Sequence, residues 1–340
     1  MPPESLRHLI DWHLLDEALW WDRLEAARRF ARERRWTDRA RGRAIALLFF
    51  NPSLRTRTSM ELAAAQLGAH VSVLVPGQGT WGFEWRDGVV MEGPEAEHIQ
   101  EAIGVLSRYY DAIGVRAFAS LRDYEQDRSE AFLRRIVRAA SVPIINLESA
   151  FWHPCQALGD AATLMDLFRE RLAGRSFLLT WAYHPKALPM AVPNSALLMA
   201  TRLSMRVTIA RPAGYELDPE VMALARQYAA QHGLEVRETD ALDEAFEGAE
   251  VVYAKAWGGR LAYTDPEAES QLRLSLRDWR VTEARMRRTR EAVFMHCLPV
   301  RRNVVVDDAV LDGPWARHLV QAEYRLHAQK AILEWVWNLS

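Results

Sequence analysis

The chain has 340 residues, 49% of them hydrophobic, which is more than one ordinary core holds and predicts two domains. Its 43 Lys and Arg nearly balance its 45 Asp and Glu, so neither nucleic acid nor a membrane surface is expected as the main partner, and any anion site has to be local. The two cysteines, Cys155 and Cys297, belong to no CxxC or Cys/His metal pattern, which argues against a disulfide framework or metal centre and for a reducing cytoplasm.

Met1–Ile10 lacks the apolar core of a signal peptide, and runs such as Ala44–Phe50 are too short to span a bilayer. Asp16–Arg35 has helical spacing of apolar positions. Ala44–Phe50 reads as a buried strand and Ser53–Leu67 as a helix. Val71–Val75 is then a strand, Glu95–Tyr109 a helix, Ala112–Val115 a strand, Tyr124–Ala139 a helix and Pro143–Asn146 a strand. After a helix at Leu158–Leu172 a second series follows. Its strands are Phe177–Trp181, Arg206–Ile209, Val251–Ala254 and Ala292–His296, with helices at Asn194–Leu203, Pro219–His232 and Ala328–Trp337. Strands alternating with helices predict an α/β fold of parallel sheets covered on both faces. Residues 1–152 are expected to form one domain and 153–320 the other, with helix 321–340 packing back on the first.

Three polar clusters fall at strand ends, where open parallel sheets bind ligands. In Phe49-Phe50-Asn51-Pro52-Ser53-Leu54-Arg55-Thr56-Arg57-Thr58 a strand turns into a helix. Such a turn offers free N–H groups and the positive helix end, and Ser53, Thr56, Thr58 and Arg55 add hydroxyl and guanidinium donors suited to phosphate. The plain alternative is an N-cap serine beside solvated arginines. His153-Pro154-Cys155-Gln156 precedes a helix, and by itself reads equally as a structural histidine. In His296-Cys297-Leu298-Pro299-Val300-Arg301-Arg302-Asn303 the proline is expected to hold Leu298 extended; a surface loop around a buried cysteine is the alternative. No Walker lysine and no GxGxxG follows a strand, so neither a nucleotide cradle nor a dinucleotide-dependent dehydrogenase is supported, and no cofactor is expected.

Taken together, Ser53-Leu54-Arg55-Thr56-Arg57-Thr58, His153-Pro154-x-Gln156 and His296-Cys297-Leu298-Pro299 resemble the signatures of the aspartate/ornithine carbamoyltransferases, in order and in spacing, over nearly the whole chain. The resemblance implies two doubly wound parallel-sheet domains with the active site in the cleft between them. It implies that Ser53, Leu54, Arg55 and Thr56 hold the phosphate of carbamoyl phosphate, with Arg116 and Arg325 as further contacts. Thr56, Arg116 and His153 would meet the carbamoyl oxygen, and Gln156 and the Leu298 carbonyl the carbamoyl nitrogen. Cys297 would sit at the carbamoyl phosphate as a positioning or packing residue, not as a nucleophile, since amine attack on the carbonyl needs no covalent intermediate. A non-catalytic, metabolite-binding relative would be expected to have lost these oxyanion donors, and Thr56, Arg116 and His153 are all present.

The acceptor is read from Tyr253-Ala254-Lys255-Ala256-Trp257-Gly258-Gly259. Ornithine carbamoyltransferases carry an aspartate and a Ser-Met-Gly loop here. Lys255 repels an α-ammonium and suits a carboxylate, so the α-amine of the substrate is expected to be acylated. Gln78-Gly79-Thr80-Trp81, Gly88–Gly93, Thr180–Pro185, Ala191–Ser195 and Gly214–Pro219 look most similar to the branch of the family that acts on N-succinylornithine, with the N-acetylornithine branch next. That resemblance implies transfer to N-succinylornithine, giving N-succinylcitrulline and phosphate in arginine biosynthesis. Glu148, His184, Leu298, Lys255 and Arg301 would bind the acylated ornithine, and Trp81 would reach the carbamoyl phosphate site of a neighbouring subunit in a homotrimer. Without the resemblance, Trp81 reads equally as a surface aromatic, Lys255 as a solvated residue and Glu148 as a helix cap. The acetyl enzymes carry a glutamate near Ala96, where the succinyl enzymes carry a proline; Ala96 leaves room for a second carboxylate. The five-residue step from Glu148 to His153 and the absence of a lysine near Val305 also favour succinyl, whereas Glu95 in a shifted loop would favour acetyl.

Overall fold

The computed structural model describes residues 6–339; Met1–Ser5, half of the segment inspected for a leader, and Ser340 lie outside the described residues. The chain divides into two compact units, residues 1–120, 125–155 and 325–340 in the first and residues 121–124 and 156–324 in the second.

In the first unit, helix α1 (Glu17–Glu33) starts where Asp16 accepts a hydrogen bond from Ala18 N, and it buries Trp20, Leu24 and Phe30. Strand β1 (Ala44–Phe49) is followed by helix α2 (Arg55–Gln66), then by strands β2 (His70–Pro76), β3 (Gly79–Thr80), β4 (Phe83–Glu84) and β5 (Glu97–His98). Helix α3 (Ile99–Tyr109), strand β6 (Ala112–Arg116), helices α4 (Tyr124–Arg128) and α5 (Ala131–Ala139) and strand β7 (Ile144–Glu148) follow, and helix α6 (Pro154–Leu167) starts at the boundary and belongs from Gln156 onward to the second unit. The sheet is parallel, in the order β3-β2-β1-β6-β7. β1 is the central strand, and Ile45–Phe49 are all buried, as a strand covered on both faces requires. Gly114 in β6 is forced by packing: a Cβ there would come within 2.8 Å of Leu147 Cδ1.

The second unit repeats the plan. Strand β8 (Ser176–Trp181), helix α7 (Ala191–Arg202), strand β9 (Arg206–Ala210), helix α8 (Pro219–Gln231) and strands β10 (Val236–Thr239), β11 (Val251–Lys255) and β12 (Val293–Met295) form a parallel sheet in the order β10-β9-β8-β11-β12. Its core gathers Leu178, Phe246, Val252, Phe294, Val306 and Val310, each worth roughly 1.5–3 kcal/mol where a large apolar side chain is fully buried.

Several elements differ from the expectation. The helix read from Glu95 starts only at Ile99, because residues 97–98 pair with Phe83–Glu84 and His98 Nδ1 caps Gln100 N at 3.2 Å. The helix expected over Tyr124–Ala139 breaks at Glu130, which takes a left-handed φ of +56°. The helix expected at Leu158–Leu172 runs from Pro154 to Leu167, since proline is well suited to a first helical turn. The last helix begins at His318, ten residues before Ala328, because buried Gln321, Arg325 and His327 dilute the apolar pattern. β10 lies at a sheet edge and went unread, its short VRET run carrying little apolar signal.

Candidate active site

Each sheet is wound outward from a central strand, so its topological switch point lies between β1 and β6 in the first unit and between β8 and β11 in the second. Ser53–Thr56 follow β1, Arg116 ends β6, His184 lies beyond β8 and Lys255 ends β11, whereas Glu148 ends β7, Leu298 and Arg301 follow β12, and Gln156 and Arg325 lie on helices.

In the first unit, Ser53 Oγ accepts a hydrogen bond from Thr56 N at 3.1 Å, tying the turn before α2 to the helix's first turn, which holds no acidic side chain. Leu54 is exposed, Arg55 half-buried and Thr56 buried. Thr58 does not join them: its hydroxyl donates back to Leu54 O at 2.8 Å. Thr56 Oγ1 receives Arg325 Nη2 at 3.1 Å and Arg116 Nη1 at 3.5 Å. Arg116 ends β6, stacks 4.4 Å from the Phe118 ring centre, and its Nη1 donates to Glu148 Oε2. The same carboxylate oxygen is 3.4 Å from His153 Nε2. Arg116 Nε is buried with no hydrogen-bond partner among the described residues.

Glu148 takes a φ of +147°, which disfavours side-chain-bearing residues, and the β6–β7 register shifts opposite it. Two residues that the sequence reading passed over hold this turn. Asn146, fully buried, accepts from Glu148 N at 3.0 Å and donates to Ser149 Oγ at 2.8 Å. Glu130 accepts from Ser149 Oγ and, at 2.8 Å, from Phe151 N. Burial, aided by the charge of Asp11, pushes the Glu130 carboxyl up to about 7. Cys155 is buried, and burial pushes its thiol up to about 12, so it is an inert packing residue.

Trp81 is exposed and its ring N–H donates to Glu97 Oε2 at 2.6 Å; Ala96 is exposed and Glu95 half-buried.

In the second unit, Lys255 ends β11, is buried, and donates to Ala256 O at 2.9 Å, so it is not a solvated surface lysine. Gly259 shortly after it packs so closely that a Cβ would sit 2.0 Å from Gly214 O. His184 lies beyond the end of β8. Arg301 Nε donates to His184 Nε2 at 3.1 Å, and His184 Nδ1 lies 3.0 Å from both Lys186 O and Lys186 N. Burial, with the charges of Lys255, Arg301 and Arg273, lowers the His184 pKa, so the ring stays neutral in a positive neighbourhood. A positive cluster of this kind receives a carboxylate.

Gln156 belongs to a buried network that the sequence did not reveal. Its Nε2 donates to Asp160 Oδ1 at 2.6 Å, which also receives Gln321 Nε2 at 2.7 Å; Tyr253 donates to Asp160 Oδ2 at 2.8 Å. Burial, then the charges of Asp160 and Cys297, raise the Tyr253 hydroxyl well above its ordinary value, so it serves as a donor. Gln321 Oε1 accepts from His296 N, and His296 Nδ1 from Leu298 N, both at 2.8 Å. This folds the chain back at Leu298, whose φ is +58° rather than extended, and corrects the expectation drawn from Pro299; the Leu298–Pro299 bond is cis. Cys297 beside it is half-buried. The signal for Asp160 was its four-residue step from Gln156, one helical turn, on a helix that the sequence reading started too late.

Among the described residues no group of His, Cys, Asp and Glu could hold a metal ion, and no helix is long and apolar enough to cross a membrane.

Comparison with known proteins identifies both halves of the chain. The carbamoyl-P binding domain of aspartate/ornithine carbamoyltransferase matches residues 7–166, and the Asp/Orn binding domain of that family matches residues 190–336. The N-acetylornithine carbamoyltransferase of Xanthomonas campestris is 44% identical over 97% of both chains. The N-succinylornithine carbamoyltransferase of Bacteroides fragilis is 37% identical over 88% of this chain and 89% of its own. A solved N-acetyl-L-ornithine transcarbamylase with one glutamate replaced by alanine, complexed with carbamyl phosphate and N-succinyl-L-norvaline, is 43% identical with a TM-score of 0.93, covering 97% of this chain and all of its own. With both family domains matched in order and relatives of this identity spanning nearly its full length, the chain belongs to the aspartate/ornithine carbamoyltransferase family and is a carbamoyltransferase.

Proposed function

We propose that this enzyme transfers the carbamoyl group of carbamoyl phosphate to the side-chain amine of an N-acylated ornithine, N-acetylornithine, for arginine biosynthesis. The observation that carries the choice of an acylated acceptor is the buried Lys255 beside His184 and Arg301, a positive cluster that favours a carboxylate and opposes a free α-ammonium. The higher identity to the N-acetylornithine enzyme, at 44% against 37%, supports acetyl. A second reading, N-succinylornithine, has one specific observation behind it: Ala96 is small, uncharged and exposed. The alanine-substituted relative that binds N-succinyl-L-norvaline supports that reading if Ala96 is the counterpart of the replaced glutamate.

The geometry supports the following roles. Ser53, Leu54, Arg55 and Thr56 at the start of α2, with Arg325, hold the phosphate. Negative charge grows on the carbonyl oxygen as the amine attacks, and Thr56, Arg116 and His153 stabilise it. Glu148 holds Arg116 and His153 in place and meets the acceptor. The carbon–oxygen bond to phosphate breaks, and the leaving phosphate takes the amine proton. Gln156 and the Leu298 carbonyl hold the carbamoyl nitrogen, with Cys297 packing beside them. We further assign a cytoplasmic homotrimer in which Trp81 serves a neighbouring subunit's site. Light scattering measures the assembly directly, and a monomer with full activity would remove that role for Trp81.

The deciding experiment is product formation from carbamoyl phosphate with ornithine, N-acetylornithine and N-succinylornithine in parallel. Preference for acetyl is expected. Preference for succinyl would favour the Ala96 reading, and preference for free ornithine would overturn the role given to Lys255.

A further inference from the structure

We propose that Asp160 is a positioning residue that aims two carbonyl oxygens, Gln156 Oε1 and the main-chain oxygen of Leu298, at the amide nitrogen of carbamoyl phosphate; this rests on the function proposed above.

Asp160 is fully buried and receives three donors from three elements: Gln156 on α6, Tyr253 on β11 and Gln321 on the C-terminal helix. In all three contacts the Asp160 oxygens accept. Every amide beside it must therefore turn its N–H toward it. Since Gln156 Nε2 faces Asp160, Oε1 faces the opposite way, the orientation needed to accept from an amide N–H. The second branch runs through Gln321. Its Nε2 is held by Asp160, so its Oε1 receives His296 N, and His296 Nδ1 in turn receives Leu298 N. One buried carboxylate thus sets the side-chain acceptor directly and anchors the backbone of the other acceptor through two further bonds. A neutral group at position 160 would lose this discipline, because an asparagine presents either an oxygen or an N–H and lets Gln156 flip.

The test compares two ligands that differ only at the nitrogen: carbamoyl phosphate and acetyl phosphate, in which a methyl replaces the NH₂. Equilibrium binding of each is measured for the parent enzyme, Asp160→Asn and Gln321→Leu. The preference for carbamoyl phosphate is expected to fall about 3- to 10-fold in Asp160→Asn, the worth of about one hydrogen bond, with acetyl phosphate binding unchanged. Gln321→Leu, which leaves the Asp160–Gln156 bond in place, is expected to lose a smaller part of the preference, and it keeps the idea testable if Asp160→Asn does not fold. An unchanged preference in the folded variants overturns the proposal. So does an equal loss of both ligands, because general damage to the unit would do that. A parent enzyme that binds neither ligand sinks the proposed function and this inference with it.

Discussion

The two sheets share one winding order, yet their switch points are charged in opposite styles. At the end of β6 and β7, opposite charges meet: Arg116 and Glu148 pair directly and His153 joins them. At the end of β8 and β11, like charges are held close: Lys255 is tied to a main-chain carbonyl and Arg301 to a neutral imidazole. The first arrangement is preorganised, its donors already aimed by their own carboxylate. The second keeps positive charge uncommitted to any carboxylate at Lys255 and ready for one from an acceptor. A common topology therefore places both clusters, and under the proposed function the side chains at the strand ends divide the work, the first doing the chemistry and the second selecting the acceptor.

The sharpest way to break this comparison is to remove the preorganised donor. Arg116→Ala should lower kcat by roughly 10²–10³, the usual consequence of losing an oxyanion donor. Steady-state kinetics checks it, and an unchanged kcat would remove Arg116 from the transition state. The next effect concerns the support beneath that site. Glu130 has a pKa of about 7 when folded, against an ordinary value of 4.5. It therefore binds its proton more tightly in the folded chain. The stability it contributes is complete below pH 4.5 and is lost as the pH rises through about 7. The difference amounts to about 3 kcal/mol. Thermal melts of the parent should weaken between these limits and those of Glu130→Gln should weaken less; parallel profiles would show that Glu130 does not titrate there.

On the selecting side, Lys255→Asp should reduce kcat/KM for the acylated acceptor by roughly 10- to 100-fold, the loss of a charged hydrogen bond, and admit some free ornithine. An unchanged acceptor preference would mean that the positive cluster does not choose the substrate.

Most of the alternation of strands and helices was legible because buried parallel strands are continuous apolar runs and helices keep their period. The polar turn Ser53 to Thr56 at the start of α2 is legible because its residues are consecutive, in one turn of chain. What stayed hidden was long-range. Asp160 and Gln321 lie 161 positions apart, and Gln321 meets the Asp160 oxygen that Gln156 also holds only after folding. Glu130 reaches Ser149 and Phe151, 19 and 21 positions away, a contact that no local pattern encodes, while Asn146 holds Glu148 N and Ser149 over only two and three positions. Leu298 departs from the expectation for the opposite reason: a local rule about proline gives way to the hydrogen bonds that Leu298 N donates to His296 Nδ1 and that His296 N donates to Gln321 on the C-terminal helix.

The smallest expected effect divides the two acyl groups. Ala96 is exposed just before β5, and the neighbouring Glu95 is half-buried with its carboxylate beside Gly93: a Cβ on Gly93 would come within 3.2 Å of Glu95 Oε2. A carboxylate added at position 96 would face the second carboxylate of a succinyl group but not an acetyl methyl. Ala96→Glu should therefore lower the succinyl-to-acetyl ratio of kcat/KM by about tenfold, the scale of one unfavourable charge contact of about 1.4 kcal/mol. Glu95→Gln, which removes the nearby charge without changing size, should leave the ratio within about twofold, a difference below roughly 0.5 kcal/mol. The reverse pattern, a ratio moved by Glu95→Gln and not by Ala96→Glu, would show that the folded-back Glu95 already supplies the charge that rejects succinyl, and the acetyl reading would then rest on a residue of this chain as well as on its relatives.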